Sequence, residues 1–307
     1  MPIRDRRGAD LSIAEEYYKA GQIASDVRRR ICQAARPGMK VLDLCNTVED
    51  EIRSRGAEPA FPCNVSIDEV AAHYTAEIDD SLTIKNGNVV KIDLGAHISG
   101  YLVDTAATVT FNPDYDGLVR ATEEALNEAI KLARVDVRTG NLGEVISNTA
   151  ARYGYRPITN LSGHSIESYR VHAGISIPNT WMGGTPSLKA GGVYAIEPFL
   201  TTEHGAGQVI DGPTREIYSL VGRKKTRDKS LDELLEHIWS SYRTLPFATR
   251  YLEGKMEKTE LKQALTKLVT LKALRSYPSL IEANGRIVAQ FEHTITLEEE
   301  RTTVLTV

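Results

Sequence analysis

The stretch VVKIDLGAHISGYLVDTAATVT, residues 89–110, places two acidic residues in an otherwise apolar and β-branched run. Apolar and polar side chains alternate before the turn-like segment 97–100, and the alternation resumes after it. A period of two residues is typical of a β-strand. The stretch therefore predicts a β-hairpin that carries Asp93 on its first strand and Asp104 on its second.

Two carboxylates on neighbouring strands create an electrostatic problem for this hairpin. With the turn centred after Ile98, Asp93 faces Asp104 directly, with Cβ atoms roughly 5 Å apart. Ionised carboxylates repel each other at that distance, and burial makes the repulsion worse. A shared proton, a cationic partner or a bound metal ion would relieve it. Lys91, on the same face as Asp93, is the one cation in the stretch. The hairpin alone leaves the three solutions open.

The chain as a whole has the composition of an ordinary globular protein. It has 307 residues, 41% of them hydrophobic, and a formal net charge of −4. This charge gives no electrostatic argument for a DNA or membrane partner. The sequence has no apolar run long enough to span a bilayer, and residues 1–12 lack the apolar core of a signal peptide. The three cysteines have no zinc-type spacing, so we expect reduced thiols and a cytoplasmic location.

The helical and strand patterns predict one mixed α/β domain over residues 1–307. Amphipathic helices are expected on both sides of the hairpin, a loop is expected at GAEPAFPCN (56–64), and more strands follow towards the C-terminus. Residues 223–229 are basic and polar, and 230–274 have a helical pattern. We therefore expect a helical insertion subdomain at residues 210–278 inside this single domain.

Three further segments carry acids or histidines on predicted strands. Glu292 lies in the alternating segment GRIVAQFEHTITL, and Glu197 precedes a proline in GGVYAIEPFL, which favours an irregular or edge position. In GHSIESYRVHAG, His164 and His172 are separated by an even number of residues. An even separation places both side chains on one face if the extended segment is unbroken.

Four carboxylates and one imidazole would carry a charge of −4 if they gathered at one site. Without cations such a cluster would protonate or disperse, whereas two divalent ions contribute +4 and neutralise it. This oxygen-rich ligand set suits Mn, Fe(II), Co or Zn better than a thiolate-type zinc site does. Spacing alone does not show that the five residues meet: Asp93, Asp104, His164, Glu197 and Glu292. Four isolated histidines are expected to be structural or exposed: His97, His204, His237 and His293.

The chain resembles the methionine aminopeptidases in the order and residues of five segments: AFPCNVSIDEVAAHYTAE, KIDLGAHISGYLVDTAATV, LSGHSIESYRVHAG, VYAIEPF and AQFEHTI. It is similar to the type 2 class, since a long segment separates Glu197 from Glu292, and to the archaeal form, since no long charged extension precedes the first helix. The resemblance covers nearly the whole chain. It implies the α/β pita-bread fold, in which two pseudo-symmetric halves, flanked by helices, form a curved antiparallel sheet around a metal site.

The resemblance also implies a cofactor of two divalent metal ions (Co, Mn, Fe or Zn). Asp93 would be a terminal ligand of one ion. Asp104 and Glu292 would bridge both ions. His164 and Glu197 would complete the coordination shell of the second ion.

Substrate-binding and catalytic roles are implied in the same way. His73 would lie beside the scissile amide, and His172 would hydrogen-bond to the substrate carbonyl oxygen. Phe61 and Tyr277 would line the pocket for the methionine side chain. Glu197 would shuttle a proton while a hydroxide that bridges the two metals attacks the peptide carbonyl. The implied reaction removes the N-terminal methionine of nascent polypeptides when the second residue is small.

Two other functions are compatible with the same motifs. An Xaa-Pro aminopeptidase or prolidase shares the fold, but such enzymes carry a large N-terminal domain, and only 92 residues precede Asp93 here. A non-catalytic binding protein would explain the basic segment 223–225, although all five ligand positions here hold an acid or a histidine. For the enzyme we expect a monomer whose macromolecular partner, if it acts during translation, is the ribosome.

Overall fold

A computed structural model describes residues 14–307. Within that range the chain forms six α-helices: α1 (Glu15–Ala34), α2 (Val41–Ser54), α3 (Asp116–Leu132), α4 (Thr139–Arg152), α5 (Lys229–Tyr242) and α6 (Lys258–Thr270). The charged segment 1–12, which the sequence excludes as a signal peptide, lies outside the described residues. None of the helices found between residues 14 and 307 has the length and apolarity needed to cross a membrane.

The described chain also forms seventeen β-strands. They are β1 (Glu58–Ile67), β2 (Val70–Ala72), β3 (Val89–Ile98), β4 (Tyr101–Thr110), β5 (Arg156–Pro157), β6 (Ser162–Ile166), β7 (Ser176–Pro178), β8 (Val193–Ile196), β9 (Phe199–Thr201), β10 (Val209–Asp211), β11 (Ile217–Leu220), β12 (Phe247–Ala248), β13 (Leu274–Tyr277), β14 (Leu280–Glu282), β15 (Val288–Gln290), β16 (Glu292–Leu297) and β17 (Thr302–Val304). The main antiparallel sheet has the order β1-β3-β4-β16-β8-β6-β7, and β17 pairs with β16.

The main sheet is covered by two pairs of helices, and each pair has its own hydrophobic core. Helices α1 and α2 pack on β1, β3 and β4, while α3 packs on α4 and on the strands of the other half. Helix α1 turns a stripe of small and branched side chains to the sheet, among them Ala20, Ala24 and Val27, all fully buried. This division into two helix-covered halves agrees with the expected α/β architecture.

The β3–β4 hairpin has a different register from the expected one. Ile98 pairs with Tyr101, so that Ser99 and Gly100 form a two-residue turn, and both have positive φ angles of 52° and 89°. Two central residues with positive φ suit the right-handed twist of the flanking strands. The expectation that Asp93 faces Asp104 is therefore wrong by two positions: Asp93 pairs with Ala106, and Asp104 with Gly95. A shift of two preserves the face, so both aspartates still lie on the same side of the sheet.

The expected loop at residues 56–64 is also wrong, because most of it belongs to β1. Pro59 and Pro62 are compatible with a strand here since β1 is the edge of the main sheet. The pairing with β3 is interrupted between Phe61 and Asn64 by a β-bulge. Bulges redirect side chains, and this one lies opposite the segment of β3 that carries Asp93.

Residues 210–278 contain more β-structure than their helical pattern predicts. Helices α5 and α6 pack around a separate hydrophobic cluster that includes Leu235, Phe247 and Leu265. Strands β11, β12 and β13 form a small sheet beside these helices, whereas β14 lies between β10 and β2 in another three-stranded sheet. Ile78, from before the hairpin, belongs to the same cluster, so the segment is packed against the first half of the chain.

Candidate metal centre and active site

Four strands of the main sheet and the residue after a fifth supply the acidic cluster, and the five strands are consecutive in the sheet. Asp93 is on β3, Asp104 on β4 and Glu292 at the start of β16. His164 is on β6, and Glu197 follows the last residue of β8, where the chain breaks before β9. Asp93 and Glu292 both align with Ala106 of β4, so they lie in one row across three strands. Residues that are far apart in the sequence thus line a single cavity.

The cluster is compact enough to hold a metal ion. Nε2 of His164 lies 3.3 Å from Oε1 of Glu197 and 3.6 Å from Oδ2 of Asp104. One ligand atom from each of Asp104, His164 and Glu292 lies within 4.8 Å of the others. These three side chains are almost fully buried, with exposures of 4%, 5% and 1%. Nδ1 of His164 lies 3.4 Å from the Ser165 carbonyl, which leaves Nε2 facing the carboxylates.

The electrostatics of the cluster call for cations. Burial, followed by the charge of Asp104, raises the pKa of Asp93 and of Glu292 well above the ordinary value. Burial and the two aspartates raise the pKa of Glu197 in the same way. The one nearby lysine does not help, since Nζ of Lys91 donates to the Asp68 carbonyl at 2.6 Å. A cationic side-chain partner from the hairpin is thus excluded as the solution.

Three carboxylate oxygens in the cluster are shielded from solvent and have no hydrogen-bond partner: Oδ1 of Asp93, Oδ1 of Asp104 and Oε1 of Glu292. An unpartnered buried polar atom is costly, and buried charges in proteins are usually paired or coordinate a metal. Hard oxygen donors with one imidazole fit the divalent ions expected from the sequence. The residues present therefore fit a divalent metal site.

Hydrogen bonds behind the cluster hold its members in place, and the sequence did not identify these partners. Nε2 of Gln290 donates to Oε2 of Glu292 at 3.2 Å, and its hydrogen bond to Asp93 opposes the rise in the pKa of that carboxyl. The Thr294 hydroxyl accepts from the Asp104 N–H and donates to the Asp104 carbonyl, both at 2.7 Å. Gln290 and Thr294 lie two residues before and two residues after Glu292. Strand alternation places them on the same face as Glu292, and this pattern could have identified them from the sequence.

Two further histidines border the cluster. The ring of His172 lies 4.4 Å from that of His164, edge to face, and His172 is an exposed residue that lines the cavity. The chain between them is not one unbroken strand, because β6 ends at Ile166. The expected reason for their proximity is therefore wrong, although the two rings meet. His73 has a positive φ of 62°, and burial lowers the pKa of its ring to about 4.

Residues 15–239 match metallopeptidase family M24. The methionine aminopeptidase of Pyrococcus horikoshii is 46% identical over 293 residues, which cover 95% of this chain and 99% of that protein. The methionine aminopeptidase of Methanocaldococcus jannaschii is 42% identical over 293 residues, covering 95% of this chain and 98% of that protein. The chain belongs to the methionine aminopeptidases of family M24.

Solved structures share the architecture at low sequence identity. A methionine aminopeptidase from Thermotoga maritima has a TM-score of 0.69 at 22% identity and covers 96% of this chain and 98% of its own. The structure of a thermophilic Arx1 has a TM-score of 0.83 at 17% identity, with coverages of 96% and 91%. The prolidase of Pyrococcus furiosus has a TM-score of 0.62 at 17% identity. These likenesses concern the fold, and they confirm the expected pita-bread architecture.

The two alternative functions are not favoured. The match to the prolidase covers 99% of this chain but only 65% of the prolidase, whereas the match to a methionine aminopeptidase at 46% identity covers 95% of this chain and 99% of that protein. All five positions of the acidic cluster retain an ionisable side chain, and three of them could hold a metal ion. A binding protein without a metal site would not need this cluster.

The acidic cluster lies in the wall of a cavity of about 330 Å³. Phe61 and Tyr277 both line it, and the Tyr277 ring lies 5.9 Å from the His73 ring, edge to face. The tyrosine hydroxyl is 3.0 Å from the Ser219 hydroxyl. Other apolar residues that the sequence did not single out also line the cavity, among them Val171, Ile175, Phe199 and Ile217. They come from loops and from strands outside the hairpin, so no local pattern marked them.

Proposed function

We propose that this protein is a metal-dependent aminopeptidase that removes the N-terminal methionine of a polypeptide when the second residue is small. The observation that carries the proposal is the buried cluster of four carboxylates and one histidine beside an apolar cavity. The cluster supplies the chemistry and the cavity accepts a long, unbranched side chain. The sequence similarity to methionine aminopeptidases over nearly the full chain supports the same substrate.

We assign two divalent ions to the cluster, with Mn, Fe, Co and Zn as the candidates. Asp93, Asp104, His164, Glu197 and Glu292 would be the ligands that hold the ions. Bound there, the ions would lower the pKa of a water molecule and polarise the scissile carbonyl. Gln290 holds the Glu292 carboxylate in position by its hydrogen bond. The partnerless buried oxygens described above support this assignment.

The protein's own residues orient the peptide and move the proton. His172 faces the cavity and donates to the substrate carbonyl oxygen, where negative charge develops. His73 lies beside the scissile amide. Glu197 carries the proton from the attacking water to the leaving amine. Phe61 and Tyr277 hold the methionine side chain. A large second residue would meet the wall of the cavity, which explains the preference for a small one.

We propose that residues 1–307 form a single catalytic domain in which residues 210–278 are an inserted subdomain. The shared packing of that segment with Ile78, and the pairing of β14 with β2, support one continuous domain. We further propose a monomer in the cytoplasm that acts on nascent chains at the ribosome. The basic segment 223–225 is the candidate region for the contact with the ribosome.

The direct test is peptide cleavage after metal removal and replacement. Protein treated with EDTA should not cleave Met-Ala-Ser, and re-addition of Mn, Fe(II), Co or Zn, each alone, should restore turnover. Met-Lys-Ser and Ala-Pro-Ala should be cleaved far more slowly. Asp104→Asn should lower turnover by on the order of 10³-fold or more while circular dichroism shows an intact fold. Equal rates on Met-Ala-Ser and Met-Lys-Ser, or retained activity in Asp104→Asn, would contradict the proposal.

A further inference from the structure

A second buried charge cluster lies behind the wall of the active site, and no catalytic role described above uses it. Arg250, in the 3-10 helix Thr249–Leu252, forms an ion pair with Glu49 of α2. The two side chains are 8% and 2% exposed. Arg250 belongs to the 210–278 segment, whereas Glu49 precedes the hairpin. The pair therefore joins two distant parts of the chain.

Arg250 also contacts the segment that follows His73. One guanidinium nitrogen donates to the Thr75 hydroxyl at 2.7 Å and to the Ala76 carbonyl at 3.2 Å. His73 itself has a left-handed backbone, which a non-glycine residue adopts only when its surroundings hold it there. The contacts from Arg250, two and three residues later, are a restraint of that kind.

Glu49 and Thr75 in turn hold the β-bulge of β1. The bulge leaves the backbone of Cys63 without a partner on β3, because pairing jumps from Phe61 to Asn64. The Cys63 N–H donates to Glu49 at 3.0 Å, and its carbonyl accepts from the Thr75 hydroxyl at 2.8 Å. Both backbone groups that the bulge frees are thus satisfied by residues that Arg250 contacts directly.

The bulge carries two residues of the active-site cavity, Phe61 and Asn64. The Phe61 ring fits against Gly95 of β3, where an added Cβ would lie 2.4 Å from the ring. The position of the Phe61 ring therefore depends on its contact with Gly95 and on the backbone conformation of the bulge. A small displacement of Cys63 would move Phe61 into or out of the cavity.

We propose that Arg250 is a positioning residue that fixes the Phe61 bulge against the His73 segment and thereby sets the selectivity for the first residue of the substrate. The proposal rests on the proposed function, since Phe61 and His73 are assigned there to the methionine side chain and the scissile amide. Arg250 touches neither. It acts through Glu49 and Thr75, and only a guanidinium reaches three acceptors in this fixed geometry.

The kinetic test compares Arg250→Lys and Glu49→Gln with the wild-type enzyme on Met-Ala-Ser and Leu-Ala-Ser. Lysine keeps the charge but has one nitrogen for three acceptors. We expect kcat/KM on Met-Ala-Ser to fall on the order of 10- to 100-fold, mainly through KM, and the Met/Leu ratio of kcat/KM to fall at least about threefold. General destabilisation lowers the amount of active enzyme and leaves this ratio unchanged. An unchanged ratio in both variants would overturn the proposal.

Lys262→Met is the matched control. Lys262 comes from the same 210–278 segment and binds Glu77, close to Thr75, but both side chains are over 40% exposed. The variant removes a contact between the same two regions without touching the bulge. Its rates and its Met/Leu ratio should equal those of the wild type, and a loss of selectivity equal to that of Arg250→Lys would count against the role of Arg250.

Hydrogen exchange separates this proposal from the proposed function, because it requires no turnover. In Arg250→Lys, deuterium uptake should rise in peptides covering residues 60–66 and 72–77 and stay at the wild-type rate elsewhere. Wild-type uptake in both peptides, or a rise over the whole protein, would overturn the proposal. Failure of the wild-type enzyme to cleave Met-Ala-Ser with any metal would instead contradict the proposed function, and the exchange result would still decide whether Arg250 holds the two segments.

Discussion

The acidic cluster and the Glu49–Arg250 pair are two solutions to the burial of carboxylates in one protein. Glu49 is 2% exposed and Glu292 is 1% exposed, so both are removed from water to the same extent. Glu49 has a guanidinium against it and accepts the Cys63 N–H. Glu292 has other carboxylates as neighbours, and one of its oxygens has no partner. Burial raises the pKa of both carboxyls, but Arg250 and the Cys63 N–H oppose the rise at Glu49, whereas the neighbouring carboxylates add to it at Glu292.

The two sites therefore differ in what balances the buried negative charge: a side chain of the protein at Glu49, and a bound cation at the acidic cluster. Among the described residues, the cluster acids pair with His164 but with no lysine or arginine, so their charge is balanced only when cations bind. The Glu49–Arg250 pair is balanced within the protein, and its geometry serves the backbone around it. Removal of one acid should therefore have opposite effects at the two sites in the absence of metal.

The largest expected effect is on the stability of the metal-free protein at pH 8. Glu49→Gln leaves Arg250 buried without its counter-ion, and breaking a buried pair in this way costs about 3–5 kcal/mol. Asp93→Asn removes a carboxyl whose pKa is raised by burial and by Asp104. Each unit of that rise is a cost of about 1.4 kcal/mol at pH 8, so this variant should be more stable than the wild type.

Urea unfolding in the presence of EDTA measures both variants. The two free energies of unfolding should change in opposite directions relative to the wild type. With saturating Mn²⁺, Asp93→Asn should instead be less stable than the wild type. The wild type gains the free energy of metal binding, whereas the variant has lost a ligand. Destabilisation by similar amounts in both metal-free variants would contradict the distinction between the two sites.

A smaller effect is expected from the hydrogen bond that orients Glu292. Gln290→Leu removes the Nε2 donor that lies 3.2 Å from the carboxylate. Loss of such an outer partner typically weakens metal binding about 10- to 100-fold. Isothermal titration with Mn²⁺ measures this directly, and Gln263→Leu, on the exposed face of α6, is the matched control. A dissociation constant equal to that of the wild type would show that the sheet alone orients Glu292.

The sequence indicated which residues gather in the cluster, but it did not give the strand pairing that brings them together. The hairpin was predicted from alternation, yet its register was wrong by two, because the pattern does not show that Ser99 and Gly100 form the turn. Both aspartates kept their face, since side-chain direction in a strand has a period of two. The prediction of a shared site therefore survived an error in the pairing.

The Arg250–Glu49 contact could not be predicted in this way. The two residues are 201 positions apart, and each lies in a segment whose pattern explains it as an exposed helical charge. Only the three-dimensional packing of the 210–278 segment on α2 brings them together. The β1 bulge was hidden for a related reason, because prolines at 59 and 62 are typical of a loop and become compatible with a strand only at the edge of a sheet.

The pH dependence of metal binding separates the two clusters without a substitution. Burial raises the pKa of Asp93, Glu197 and Glu292, so in the metal-free protein each carboxyl keeps its proton to a higher pH than an exposed carboxyl does. Metal binding must displace the protons, so affinity should rise with pH, by about tenfold per pH unit for each proton released. Titration with Mn²⁺ at pH 6.5 and 7.5, in buffers with different ionisation enthalpies, counts the protons. Glu49→Gln should release the same number as the wild type, because its carboxylate lies outside the cluster, whereas Asp93→Asn should release fewer. If the affinity is the same at both pH values, the cluster is already ionised without metal, and the contrast between the two buried sites disappears.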